Sequence, residues 1–163
     1  PCSAASSAVH LASNCITHVL SIGSTPSPKV DGVVYRRLGL KDDGSASLEL
    51  TVNTAAEIIK EALKGSGRVL VHCSAGISRS PTVVTAYLMK EKGMGLKEAL
   101  GVVVRARPQV SPNSGFLRQL KDMEMDLWGV ESLVEDEIPR REVERLALFA
   151  EPRGSQEQVN FLL

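Results

Sequence analysis

His72-Cys73-Ser74-Ala75-Gly76-Ile77-Ser78-Arg79-Ser80 places five residues between a cysteine and an arginine, directly after the apolar run Val69-Leu70-Val71. A loop of that length can curl until its backbone N–H groups, a thiolate and a guanidinium face one phosphate-sized anion. The chemistry such a loop suits is hydrolysis of phosphate esters. The plainer alternative is a cysteine that fills the core of a strand-loop-helix turn, since free cysteine is among the most buried residue types. Cys, Gly, Arg and Ser gathered in one short loop between a strand and a helix favour the anion site.

Each residue type has a chemical reason. An ordinary thiol is only slightly ionised at neutral pH, but a helix N-terminus and an adjacent cation lower its pKa until thiolate is available. Cys73 is therefore the candidate nucleophile. Arg79 offers a planar fork that holds two phosphate oxygens and stays charged at any working pH. Gly76 admits backbone angles that other residues resist, so successive amides of Ser74, Ala75, Gly76, Ile77 and Ser78 can turn inward as the substrate-binding nest. Ser80 can donate to the Cys73 sulfur and help it leave when a phosphocysteine is hydrolysed. His72 is expected to order the loop, its side chain turned away from the anion. Pro81 suits the first turn of the following helix, where no backbone N–H is needed.

Residues 67–80, continuing through Thr85-Ala86-Tyr87-Leu88-Met89-Lys90, resemble the phosphate loop and following helix of dual-specificity protein phosphatases. Arg107-Pro108-Gln109-Val110-Ser111-Pro112-Asn113-Ser114-Gly115-Phe116-Leu117 is similar to the same family's Arg-Pro, Pro-Asn and Gly-Phe segment. The resemblance runs from about Ile16 to about Trp128. It implies the protein tyrosine phosphatase-like fold, a cysteinyl-phosphate mechanism, and activity on phosphotyrosine together with phosphoserine or phosphothreonine. It implies no metal and no cofactor.

Such a mechanism needs a general acid to protonate the departing alkoxide. Asp42 and Asp43 in Leu40-Lys41-Asp42-Asp43-Gly44 are the candidates, although a bare Asp-Asp-Gly is more often an ordinary turn. Alignment of 37–43 with the family's strand and loop puts Asp42 on the acid, 31 residues before Cys73. Asp43 then falls on a position the family often fills with Asn, and it remains the alternative. The family uses the same carboxylate as base in the second step.

The elements that must position these groups read as α/β. Residues 3–14 are expected as a helix and 16–22 as a strand stopped by Gly23, followed by a Ser/Pro-rich loop at 24–28 and a strand over 33–38. Val52, Ala55, Ala56, Ile59, Ala62 and Leu63 repeat at helical spacing, and Gly65 to Gly67 close that helix. The strand over 68–71 feeds the phosphate loop. The helix over 81–92 is apolar on nearly every side and is expected to be buried, holding the loop rigid. Leu96, Ala99, Leu100 and Val103 mark another helix, and Ser111 with Pro112 is expected to start the last domain helix as N-cap and first residue. The pattern fits a central, mostly parallel sheet of about four to five strands with helices on both faces.

Length and composition agree with one catalytic domain, taken as 1–129: the 163 residues are 43% apolar and 23% charged, enough for one substantial core. Nineteen basic residues balance nineteen acidic ones, which gives no global pull toward nucleic acid or membrane. The partner expected is a phosphoprotein substrate, and a MAP kinase enters by family analogy only. Cysteines at 2, 15 and 73 make no disulfide framework, and the candidate nucleophile must stay reduced, so a cytoplasmic or nuclear location is expected. No apolar run reaches membrane-spanning length and no secretory signal is visible. The chain opens at Pro1 without the strand that family members carry before the first helix, so that strand is expected to be trimmed or lacking.

His10 and His18 have no ligand partners at metal spacing. Cys2 and Cys15 are expected as bystanders, although a cysteine close to Cys73 can capture its sulfenic acid. Arg105 and Arg107 either help a phosphoprotein dock or complement a helix dipole. The extension 130–163, with the acidic stretch Glu131, Glu135, Asp136 and Glu137, leaves the family pattern and is expected as an extra helix, a partner-binding tail or a loose terminus. Alternatives to a protein phosphatase are an enzyme of phosphoinositides or RNA ends, a silent phosphoprotein-binding module and a sulfurtransferase. The neutral loop 74–78 disfavours polyanionic substrates, intact Cys73 and Arg79 disfavour a silent binder, and a sulfurtransferase needs no separate acid loop.

Overall fold

The computed structural model describes residues 1–150 and 161–162. Its centre is a parallel sheet. β1 (His18–Ile22) pairs with β2 (Val34–Leu38) on one side and β3 (Val69–His72) on the other. The two-residue β4 (Phe161–Leu162) adds to the free edge of β3, giving the order β2-β1-β3-β4. The sheet is thus smaller than the four to five strands expected: three full strands and a two-residue fourth drawn from the C-terminal extension. No strand precedes β1 among the described residues.

β3 is buried along its whole length because helices cover both sheet faces, which is why its sequence reads as an unbroken apolar run. The alternation of side chains along each strand divides the core. Val19 and Leu70 face Ala5 and Leu11 of the short helices α1 (Cys2–Ala5) and α2 (Ala8–Ser13). Leu20, Ile22, Val69 and Val71 face the larger core built by α3 (Glu49–Lys64), α4 (Arg79–Lys92), α5 (Leu96–Ala106) and α6 (Ser114–Trp128). The single helix expected over 3–14 is broken at Ser6 and Ser7, because the Ser7 hydroxyl accepts from the His10 N–H and restarts the chain as an N-cap.

α4 is buried without interruption from Ser80 to Met89. A cavity at its centre, as in Leu88→Ala, would cost about 2–5 kcal/mol. The cap of α6 also differs from expectation. The helix begins at Ser114, so Asn113, not Ser111, holds the cap position, its Oδ1 accepting from Phe116 N–H at 2.9 Å.

The extension packs on the domain. Its first residues are tied down by Glu124, a fully buried carboxylate that accepts from the Leu96 N–H at the start of α5 and from Ser132 N–H and Oγ. Lys121 reaches Glu131 and Asp136, Leu133 and Ile138 enter the core, and α7 (Glu142–Leu148) follows. α7 is one of the outcomes the sequence left open.

Candidate active site

The phosphate loop leaves the C-terminal end of β3 and enters α4 at Arg79, so sheet and buried helix clamp it at both ends. Its carbonyls are all engaged from outside the loop or from α4. Ser74 O accepts from Cys2 N–H, Ile77 O from Ser111 N–H and Ser78 O from Thr82 N–H. Arg107 donates through Nη2 to Ala75 O and through Nε to Gly76 O, both at 3.1 Å. In a trans peptide the following N–H points opposite to its carbonyl, so the amides of 75 to 79 are turned the other way. Gly76, at φ +73°, lets the chain make this turn, and its N–H donates to Cys73 Sγ at 3.3 Å.

Cys73 is 2% exposed. Burial pushes its thiol up, but the Ser80 hydroxyl at 3.3 Å, the Ser80 and Gly76 amides and the Arg79 charge outweigh burial and hold it below its ordinary value. Arg79 stands over the same loop, with Nη2 donating to Ser74 Oγ at 2.9 Å. A Cβ on Gly23 would come within 2.4 Å of Arg79 Nη1 and 2.5 Å of Leu40 O, so the guanidinium occupies space that only glycine leaves open.

His72 lies behind the loop, fully buried. Its Nδ1 faces Cys73 O at 3.2 Å and its Nε2 faces Ser21 Oγ at 2.7 Å. Burial lowers its pKa, against the Cys73 carbonyl, which raises it. A neutral ring facing a carbonyl at Nδ1 carries its hydrogen there, so Nε2 accepts from the Ser21 hydroxyl.

Asp42 and Asp43 part company. Asp42 Oδ1 accepts from Ser78 Oγ at 2.7 Å and Asn113 Nδ2 at 3.0 Å, while Oδ2 lies 3.5 Å from Arg79 Nε. Asp43 turns to Ser45, accepting from its N–H and hydroxyl, and these bonds hold the carboxyl below its ordinary value. The loop bearing both is pressed against α6: a Cβ on Gly115 would lie 2.1 Å from Gly44 O. Ser78 thus serves Asp42 and leaves α4 without a side-chain cap, so the start of that helix stays open toward an anion.

The structure brings His72, Cys73, Arg79, Ser80 and Asp42 together with the loop 74–78, whose inward amides are those of 75–79. An arrangement of buried thiol, fixed cation and carboxylate around turned-in amides can hold a tetrahedral dianion and exchange one of its oxygens for sulfur. The family described as dual specificity phosphatase, catalytic domain, matches residues 2–126.

The chain belongs to that family.

A dual specificity protein phosphatase 1 of Arabidopsis thaliana is 43% identical over 125 residues, covering 76% of this chain and 63% of that protein's own length. The crystal structure of human DUSP28 superposes with a TM-score of 0.71 at 33% identity, covering 77% of this chain and 86% of that one. Human tyrosine phosphatase-like serine/threonine/tyrosine-interacting protein gives a TM-score of 0.71 at 31% identity, covering 78% and 89%.

Four contributions of this dual-specificity-type site were not read from the sequence. Arg107 was weighed as a docking or dipole residue, whereas it holds loop carbonyls. Asn113, Ser21 and the Gly44–Gly115 contact carried no assigned role. The one available signal was the Pro112-Asn113 and Gly115-Phe116 pattern of the family segment, which marks positions but not partners.

Proposed function

We propose that this domain is a protein phosphatase that hydrolyses phosphotyrosine and phosphoserine or phosphothreonine esters through a cysteinyl-phosphate intermediate. The observation that carries the reading is Cys73 Sγ receiving Gly76 N–H and Ser80 Oγ while Asp42 is fastened to Ser78 in the same loop. The thiolate attacks phosphorus, the bond from phosphorus to the side-chain oxygen breaks, and that oxygen takes the proton of Asp42. Water then attacks the phosphocysteine, Asp42 takes its proton, and the S–P bond breaks to release inorganic phosphate. Ser80 Oγ and Gly76 N–H stabilise the sulfur as it leaves. Arg79 and the amides of 75–79 hold the phosphoryl oxygens in both steps.

The partner on this reading is a phosphoprotein, and a reducing compartment such as cytosol or nucleus keeps Cys73 competent. A single-turnover reaction with a phosphopeptide, quenched in denaturant, tests it. Mass spectrometry should find one phosphoryl group on Cys73. Turnover without that adduct, undiminished in Cys73→Ser, would overturn the mechanism.

A further inference from the structure

Arg145 lies on α7, outside the residues 2–126 that match the family, yet it is only 7% exposed. Its guanidinium is spread over backbone carbonyls: Nε donates to Pro108 O at 2.6 Å, and Nη1 to Pro139 O and Arg140 O at 2.7 Å each. Charge-assisted bonds of this length are the strong kind, and a planar fork fixes orientation as well as distance. Pro108 follows Arg107, whose side chain holds the Ala75 and Gly76 carbonyls, and belongs to the turn closed by Val110 N–H on Arg107 O. One residue past that turn, Ser111 N–H holds Ile77 O. Three consecutive carbonyls of the phosphate loop are therefore gripped by the segment 107–111, and Arg145 grips that segment from behind.

The far side of the clasp is equally anchored. Arg105 Nη1 donates to Phe149 O, and Phe149 itself is buried against Gly101 of α5.

We propose that Arg145 is a positioning residue for the phosphate loop, so that the C-terminal extension sets how well the domain holds a phosphoryl group. The proposal rests on the phosphatase reading, and vanadate binding by the wild-type chain separates failure of that reading from failure of the proposal. Arg145 touches neither the anion nor the reacting atoms. It acts by fixing Pro108, which fixes the Arg107 and Ser111 donors, which keep the loop carbonyls outward and the amides inward.

The experiment uses the full chain and orthovanadate as the probe, with affinity measured by calorimetry and kcat and KM measured on an aryl phosphate. Arg145→Met keeps the aliphatic stem and removes the fork. It should weaken vanadate roughly threefold to thirtyfold and lower kcat/KM in step. Arg145→Lys, whose single nitrogen cannot reproduce a fork that holds Pro108 O through Nε and the 139–140 carbonyls through Nη1, should fall between it and wild type. Lys121→Met, which loosens the same extension at the Glu131 and Asp136 end, is the control. It should lower Tm while leaving vanadate affinity unchanged.

Vanadate affinity unaltered in Arg145→Met would overturn the proposal, whatever happens to Tm. Equal weakening in Lys121→Met would overturn it too, showing general loosening rather than positioning. If Arg145→Met does not fold, Arg145→Lys against Lys121→Met decides by the same comparison. Wild-type chain that binds no vanadate would instead remove the phosphatase reading itself.

Discussion

Ser78 Oγ donates to Asp42 Oδ1 at 2.7 Å, joining the candidate acid to the loop of the candidate nucleophile across 36 residues of sequence. The candidate acid is thereby held in place by protein contacts, with Asn113 on the same oxygen and Arg79 beside the other.

If Asp42 protonates the leaving oxygen, Asp42→Asn should cost about a hundredfold or more in kcat on an alkyl phosphate, within the range typical of acid catalysis. The loss should shrink on an aryl phosphate whose leaving group departs without a proton. Asp43→Asn removes only part of a turn to Ser45 and should change little. Equal losses in both variants, or a loss insensitive to leaving-group pKa, would contradict the assignment.

Cys73→Ser should abolish turnover, because a hydroxyl here has no thiolate to attack phosphorus. Vanadate protection against proteolysis should persist in part, since Arg79 and the loop amides remain. Turnover above a trace in this variant would remove Cys73 from the mechanism.

The acid limb of kcat/KM against pH should lie below the ordinary thiol value, because Ser80, Gly76 and Arg79 outweigh the burial that raises Cys73. Ser80→Ala takes away a donor to the thiolate and should move that limb upward. A limb that stays in place would show that Ser80 contributes nothing to ionisation.

His72 gives a stability test of definite sign. Burial holds its pKa below the ordinary 6.5, so the folded ring stays neutral while the unfolded ring accepts a proton. The contribution is complete above pH 6.5 and is lost as pH falls from there toward the folded value. Tm should therefore decline over that interval, and His72→Asn should flatten the decline while lowering Tm at neutral pH. Thermal melts through the interval with matched slopes for both proteins would count against a buried neutral ring.

Gly115→Ala introduces a methyl group where Gly44 O stands 2.1 Å away, so one backbone must shift. Overpacking of this kind costs about 1–3 kcal/mol. Since Gly44 is two residues from Asp42, activity on alkyl phosphates should fall more than activity on aryl phosphates. A melt unchanged from wild type would show that the two loops separate freely.

What could be read from the sequence was what lies close together in it. The phosphate loop is nine contiguous residues whose types match their chemistry; β1, β2 and β3 followed from short β-branched or apolar runs, α3 from apolar residues at helical spacing and α4 from being apolar on nearly every side. Contacts made through the backbone left no such trace. Arg107 and Arg145 hold the loop and its support through backbone carbonyls, which every residue has, so residue type does not announce these contacts. Glu124 carried no assigned role, yet it is fully buried where the Leu96 and Ser132 donors meet it. Ser111 met the rule for an N-cap, but the helix begins at Ser114 and Asn113 takes that position, while the Ser111 amide serves Ile77 O, a residue distant in sequence.

The outward carbonyls of Ala75, Gly76 and Ile77 have one further meaning. A peptide unit is a reversible dipole: rotate its plane by half a turn and the anion meets an oxygen in place of a hydrogen. On the phosphatase reading, the pocket's attraction for phosphate is therefore not carried by composition alone, and a chain of identical sequence with one such plane inverted would repel the ligand at that point. Arg107 and Ser111, neither of which needs to touch the anion, act as locks on the sign of the pocket's own field.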